Sequence, residues 1–214
     1  MKYNMPARTF IAVLAIPAGM ACASVHHSQT VSSAGSVSLT DTPRNATLSS
    51  RESEMLRSMT DPNILGHMGM ADSVEIVMGK LALNRSKTDA VDDFARQMIS
   101  DHMASFDAEH AIARHEGMGM QTMVGELNVS HMGPMIDSVG PTISEATFDR
   151  NYLLAQVQMH RHILAELQTL QDVARDPAVR QHVVAAIPVV TQHMNRAHDL
   201  AVQRGYMKKG DWMH

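Results

Sequence analysis

Four polar side chains stand where the surrounding sequence is apolar, and their types are those that hold transition metals. Glu75 is the one charged member of the series Ile64, Met68, Ala71, Glu75, Met78 and Ala82, which alternates four- and three-residue steps. Val91, Phe94, Met98, Ser105 and Ile112 form a second such series, and Asp101 or His102 falls in the gap at its middle. His160 lies between Gln156 and Ile163 in a third, and His193 lies on the stripe of Ala186, Val190, Ala197 and Leu200 in a fourth. Neutral imidazole and carboxylate oxygen are borderline ligands suited to zinc, copper or iron. The competing account needs no ion: Glu75 pairs with a histidine protonated because of it, and Tyr152 or Asp101 completes a hydrogen-bonded polar core.

These positions converge only if four helices carry them, and the chain has signals for four. Asp61-Pro62 reads as an N-cap followed by proline in the first turn, opening a helix that runs to about Asn84. A second starts between Ser86 and Asp89 and ends at Gly117, a residue suited to the left-handed position after a helix. Thr142 and Glu145 have capping-box spacing ahead of a third helix that ends near Arg175. Asp176-Pro177 opens the fourth, which runs to Gly205. The first and last pairs have links of one or two residues, which force antiparallel neighbours, whereas some 25 residues separate the pairs. The expected fold is therefore all-α: a ferritin-like four-helix bundle over 61–205, built from two antiparallel helical hairpins joined by a long crossover. The helix centres fall near residues 72, 102, 160 and 190, so each polar position lies within about three residues, or roughly 5 Å, of mid-helix.

The segments outside the bundle point to a compartment. Residues 1–23 have Lys2 and Arg8 at the start, an apolar run from Phe10 to Ile16 and a small-residue end at Ala21-Cys22-Ala23, the pattern of a signal peptide. Cleavage after Ala23 removes the single cysteine and takes the formal net charge from −4 to −6. In the other reading Cys22 is lipidated and anchors an outer-membrane lipoprotein, although Gly19 stands where such signals usually have leucine. Both readings place the protein in the periplasm or at the outer membrane. Residues 24–60 read as a disordered linker, with a short helix allowed between Ser49 and Thr60, and residues 206–214 as a C-terminal tail.

The chain contains 19 methionines and 13 histidines, several of them in echoing clusters. His67 and Met70 belong to one; His115, Met118 and Met120 to another; His131, Met132 and Met135 to a third, with Met123 between the last two. Thioether sulfur binds Cu(I) without deprotonation and cannot form disulfides, so this set is a candidate soft-metal site. Packing of the thioethers onto the bundle, or their use as oxidant sinks, accounts for the same residues.

The order and spacing of several segments resemble a known family. They are the run Ala71-Asp72-Ser73-Val74-Glu75-Ile76-Val77-Met78-Gly79-Lys80-Leu81-Ala82, the segment from Phe94 to His102 through Met98 and Asp101, Phe148-Asp149 with Tyr152, His160, and Pro188 with His193. Together they resemble the bacterial ferritin-like domain family of unknown function often labelled predicted outer membrane protein. The resemblance covers residues 61–205 and implies an exported four-helix bundle without an established reaction.

Several function classes find no support. The balance of 18 basic and 22 acidic residues offers no footprint for nucleic acid. No serine stands in a nucleophile elbow, and no glycine loop is built to cradle phosphate. No Glu-x-x-His pair occurs, which argues against the di-iron chemistry of ferritin-like bundles. The expected function is non-catalytic binding or buffering of copper or zinc at Glu75, His102, His160 and His193, with a separate soft site among the methionines. A structural envelope bundle with a metal-free core is the alternative, and a metal-dependent oxidoreductase a third reading.

Overall fold

The computed structural model describes residues 48–121, 140 and 143–211, with Glu145 by its backbone alone. The signal segment with Cys22, the linker to residue 47, Met123, His131, Met132, Met135, Thr142 and the last three residues lie outside the described residues.

Five helices and no strand occur among the described residues: α1 (Ser50–Arg57), α2 (Asp61–Arg85), α3 (Asp89–His115), α4 (Glu145–Val173) and α5 (Pro177–Gln203). Their ends are set by specific groups. Ser49 caps α1 in a capping box with Glu52, whose backbone N donates to Ser49 Oγ at 3.2 Å while Ser49 N donates to Glu52 Oε2 at 2.7 Å. Helix α3 ends in a Schellman motif: Gly117 takes φ +65°, and Met118 N donates to the Ala113 carbonyl at 2.7 Å. Gly205 closes α5 in the same way at φ +72°. Asp176 caps α5 as its sequence indicates, accepting from Ala178 N and Val179 N.

Asp61 behaves differently from the expected N-cap. Thr60 holds that position, donating to Asn63 Oδ1, and Asp61 is the first helical residue. Its carboxylate instead accepts from Arg175 N at 2.9 Å and Asp176 N at 3.1 Å, tying the start of α2 to the α4–α5 link. The packed domain also begins before residue 61. Leu56 on α1 and Met59 after it are buried in one apolar cluster with Ile64, Leu170 and Val179.

The pairings show how the helices run. Asp72 meets His102 and Gly79 meets Ile99, so α2 and α3 are antiparallel. Glu75 meets Gln156 and His67 meets Glu166, Asp101 meets His193 and Glu109 meets His182, and the α4–α5 link is three residues, so α2–α4, α3–α5 and α4–α5 are antiparallel as well. The long connection leaves α3 beside the start of α2, where Gln121 N donates to the Pro62 carbonyl. It arrives at α4 beside the end of α2, where the Arg85 guanidinium donates to the carbonyls of Gly140 and Ile143 and lies over the Phe148 ring. Those two ends are separated by the length of α2, 25 residues or about 37 Å.

The core divides into two apolar clusters. One contains Met78, Phe94, Met98, Phe148 and Leu200; the other contains Leu56, Ile64, Leu167, Val183 and Val190. Between them lies a layer of polar side chains.

Candidate metal centre

Each of the three central histidines is held by a partner on its outer nitrogen. His102 Nδ1 donates to Asp72 Oδ1 on α2 at 2.7 Å, and His193 Nε2 to Asp101 Oδ2 on α3 at 2.9 Å. His160 Nδ1 donates to the backbone carbonyl of Gln156, one turn earlier on α4, at 2.9 Å. The inner nitrogens, His102 Nε2, His160 Nε2 and His193 Nδ1, are buried without any hydrogen-bond partner. The three rings bring ligand atoms within 4.8 Å of one another, and their centroids are 5.2 to 5.8 Å apart.

Protonation sharpens this geometry. Burial pushes His160 well below the ordinary imidazole range, and the adjacent His102 and His193 push it the same way against the Gln156 carbonyl. Burial also lowers His193, and its hydrogen bond to Asp101 only partly offsets this. Both rings are neutral at pH 7. Their single protons sit on the outer nitrogens, so the inner nitrogens present lone pairs. His102 goes the other way: burial lowers it, but the Asp72 hydrogen bond and the charges of Glu75, Asp72 and Asp101 outweigh that and raise it.

A buried polar atom without a partner costs about 1–3 kcal/mol, and here three of them converge. Two nitrogens held 2.0–2.1 Å from one ion at a tetrahedral angle lie about 3.3 Å apart, so rotations that bring the rings in by about 1 Å seat all three on one ion. The outer partners resemble those of metal-bound imidazoles, which donate the second N–H to a carboxylate or carbonyl that fixes the tautomer.

Glu75 does not join the three rings. Its Oε2 accepts from Gln156 Nε2 at 2.8 Å, and its Oε1 lies 3.7 Å from His160 Nδ1, the nitrogen that faces away from the convergence point. Burial raises its proton affinity, opposed by the charge of His102 and by the Gln156 hydrogen bond. Tyr152, also fully buried, lies on α4 about two turns before His160.

A second group behind the rings was not evident from the apolar seams. Glu109 on α3 is fully buried, and its Oε1 lies 3.4 Å from His182 Nε2. Burial, then the charge of the nearby Asp72, pushes the carboxyl up to about 10, so Glu109 is held as a neutral acid beside Asp72. Glu109 stands seven residues after His102, the interval that returns a helix to the same face; that spacing was its signal. Asp72 belongs with Leu65, Gly69 and Gly79 to a second stripe on α2, the one turned toward α3.

The described members of the candidate soft-metal set are engaged separately. His67 Nε2 is buried 3.2 Å from Glu166 Oε2, and His115 is exposed and paired with its neighbour Glu116. Met118 and Met120 pack against the cluster that contains Leu56 and Ile64, Met120 Cε resting over Gly69. Met70 is half-buried.

Comparison with curated proteins and with solved structures gives no match. Residues 46–200 match the family described as Domain of unknown function (DUF4142), a span that takes in α1 and all three central histidines. The helical domain built around this polar layer therefore belongs to the DUF4142 family.

Proposed function

We propose that this protein binds one transition-metal ion, zinc or copper, through His102 Nε2, His160 Nε2 and His193 Nδ1, and serves to hold or buffer that ion. The observation that carries the reading is the set of three inward nitrogens that are buried, close together and without partners, each backed on its outer side by an acceptor. Three imidazoles leave a tetrahedral ion with one open position, the arrangement in which zinc retains water or an exogenous ligand. Glu75, one turn away, adds a carboxylate near the cation without serving as a ligand. The mid-helix placement of the donors, and the long connection between two hairpins, are features shared with ferritin-like bundles.

The reading includes export to the cell envelope. Support comes from the composition of residues 1–23, and from a ligand set of imidazoles, which unlike thiolates are indifferent to an oxidising compartment. No described helix is long and apolar enough to cross a membrane.

A metal-free polar core is the second reading, favoured by the raised proton affinity of His102. A proton on its Nε2 would point at the lone pairs of the other two rings. Calorimetric titration of metal-stripped protein with Zn(II) and with Cu(II) separates the two. One ion per chain at sub-micromolar Kd is expected; no ion held more tightly than about micromolar, a free energy near 8 kcal/mol, overturns the metal reading.

A further inference from the structure

Positive charge gathers where α1, α4 and α5 come together, outside the histidine layer. Ala165, Gln168, Thr169, Asp172 and Val173 recur at three- and four-residue steps, so they share one face of α4. Helix α1 is seated along α4: Leu56 joins the apolar cluster of Leu170 and Val179, and Glu52 Oε1 lies 3.4 Å from His162 Nε2. That seating brings Arg57, in the last turn of α1, to the polar face of α4. Arg175 in the α4–α5 link and Arg180 near the start of α5 complete the lining of a concavity of 650 Å³.

The three guanidinium groups are held differently. Arg180 donates from Nε at 2.9 Å, and also from Nη2, to the carbonyl of Ala174, the C-cap of α4. This contact covers a helix-end carbonyl whose partial negative charge would repel an anion, and it fixes the guanidinium plane. Arg57 and Arg175 are exposed and pair with no carboxylate among the described residues. Asp172, the one acid in the lining, is ion-paired with none of the three. Three guanidinium groups against one carboxylate leave two positive charges at this place, in a chain whose net charge is −4.

We propose that this concavity binds a phosphate monoester carried on a small polar body, either free in solution or as a lipid headgroup. Planar guanidinium forks match phosphate oxygens in pairs, and two net positive charges suit a phosphate monoester better than a single carboxylate. A cavity of 150 Å³ holds benzene, so 650 Å³ leaves room for the body that bears the phosphate. Gln168 and Thr169 supply polar contacts for that body. The Thr169 hydroxyl donates to the Ala165 carbonyl at 3.2 Å, which leaves its oxygen as an acceptor. None of the lining residues is a histidine, so the inference stands apart from the metal reading.

Full-length protein titrated by calorimetry with glycerol 3-phosphate and with glycerate, and floated with phosphatidylcholine vesicles with or without phosphatidic acid, provides the test. Glycerol 3-phosphate is expected to bind at one site per chain, and glycerate, with a carboxylate in place of the phosphate, about tenfold more weakly. Arg57→Gln and Arg175→Gln are each expected to weaken binding about threefold and Asp172→Asn to strengthen it about threefold, the scale of an exposed charge pair. Arg96→Gln, which removes an exposed arginine paired with Asp93 on α3, is expected to change nothing. Binding of glycerol 3-phosphate without enrichment on phosphatidic acid vesicles supports the site with a soluble ligand. Enrichment that R57Q and R175Q remove supports it with a lipid headgroup. No saturable response to either probe, equal affinity for glycerate, or binding that R57Q, R175Q and D172N all leave unchanged overturns the proposal.

Discussion

His160 Nδ1 donates to the backbone carbonyl of Gln156 at 2.9 Å. Because a carbonyl can only accept, this bond fixes the ring's one proton on the outer side and leaves Nε2 as a bare lone pair, fully buried and unpartnered. Asp101 does the same for His193 from a different helix, and Asp72 holds the outer nitrogen of His102, whose proton affinity it raises. The layer is thus built from pairs, each of an inward donor atom and an outer acceptor, supplied by all four long helices.

Ligand loss and core stability should separate in His160→Met. The substitution removes a desolvated nitrogen and replaces it with an apolar side chain, so the metal-free variant should unfold at the same temperature as the parent or higher. Saturating zinc should raise the parent's melting temperature, by about 2.7 kcal/mol of stability at 100 times Kd, and at the same zinc concentration raise the variant's by much less. Asp72→Asn should weaken zinc by about 10- to 100-fold without abolishing it, as loss of an outer partner does. Thermal unfolding with and without zinc checks both.

Glu109→Gln should stabilise the fold, increasingly so as pH rises above 4.5. In the folded state the carboxyl is protonated up to about 10, whereas in the unfolded chain it ionises near its ordinary value of 4.5. Folding therefore takes up a proton between those limits, and the parent loses stability as pH rises through them. Glutamine is neutral in both states. The ceiling at pH 7 is about 3 kcal/mol, and an extra amide hydrogen without a partner takes back about 1, leaving a gain of about 2 kcal/mol. Denaturant unfolding at pH 5 and pH 8 reads the difference; a gain that does not grow with pH contradicts the neutral-acid assignment.

Gly79→Ala should destabilise although it sits within a helix. Alanine gains about 1 kcal/mol over glycine in helix propensity. Its Cβ, however, would stand 2.7 Å from Ile99 Cγ1 and 3.1 Å from the Ala95 carbonyl oxygen. Overpacking of that kind costs about 1–3 kcal/mol, so the net loss is about 1 kcal/mol and the midpoint drops by about 2–4 °C. Gly119→Ala, where the new atom meets nothing within 4 Å, is the control expected to show no loss.

Docking of α1 should be tightest between pH 4.5 and 6.5. His162 Nε2 lies 3.4 Å from Glu52 Oε1 on α1 and 3.5 Å from Glu166 Oε1. Burial lowers His162, but the hydrogen bond and charge of Glu166, with the charge of Glu52, outweigh it and raise it above 6.5. That contribution is complete below pH 6.5 and is lost as pH rises through the folded value. For Glu166 burial acts upward, and the hydrogen bonds and charges of His162 and His67 outweigh it, bringing it to about 2. Its contribution is complete above pH 4.5 and is lost as pH falls toward 2. Hydrogen exchange at Leu56 should be slowest within the window, and His162→Gln should remove the decline on the alkaline side.

Much of the fold is legible because its signals are local. Asp176-Pro177, Gly117 and Gly205 each act on the backbone within a few residues, and each marks a helix end in the structure. The role of Asp61 is not legible in the sequence, because its partners, the amides of Arg175 and Asp176, are 114 and 115 residues away and leave no local trace. The inward histidines stand out because imidazole is conspicuous on a seam of Met, Val and Ala. The same seam suggests a ligand role for Glu75, yet a seam gives level and face but not direction. Whether a side chain points at its neighbours or past them depends on rotamers, and Glu75 turns to Gln156. Asp72 and Glu109 escaped notice because α2 and α3 bury broader faces than a single stripe, an arrangement that the glycines at 69 and 79 permit.

X-ray absorption at the metal edge of protein loaded with one zinc or copper tests the central claim most directly. Three imidazole nitrogens at 2.0–2.1 Å are expected, plus one further oxygen or nitrogen donor, with one imidazole lost in His160→Gln. Sulfur in the coordination shell, or a spectrum that His160→Gln leaves unchanged, would place the ion elsewhere in the molecule and contradict the tri-histidine centre.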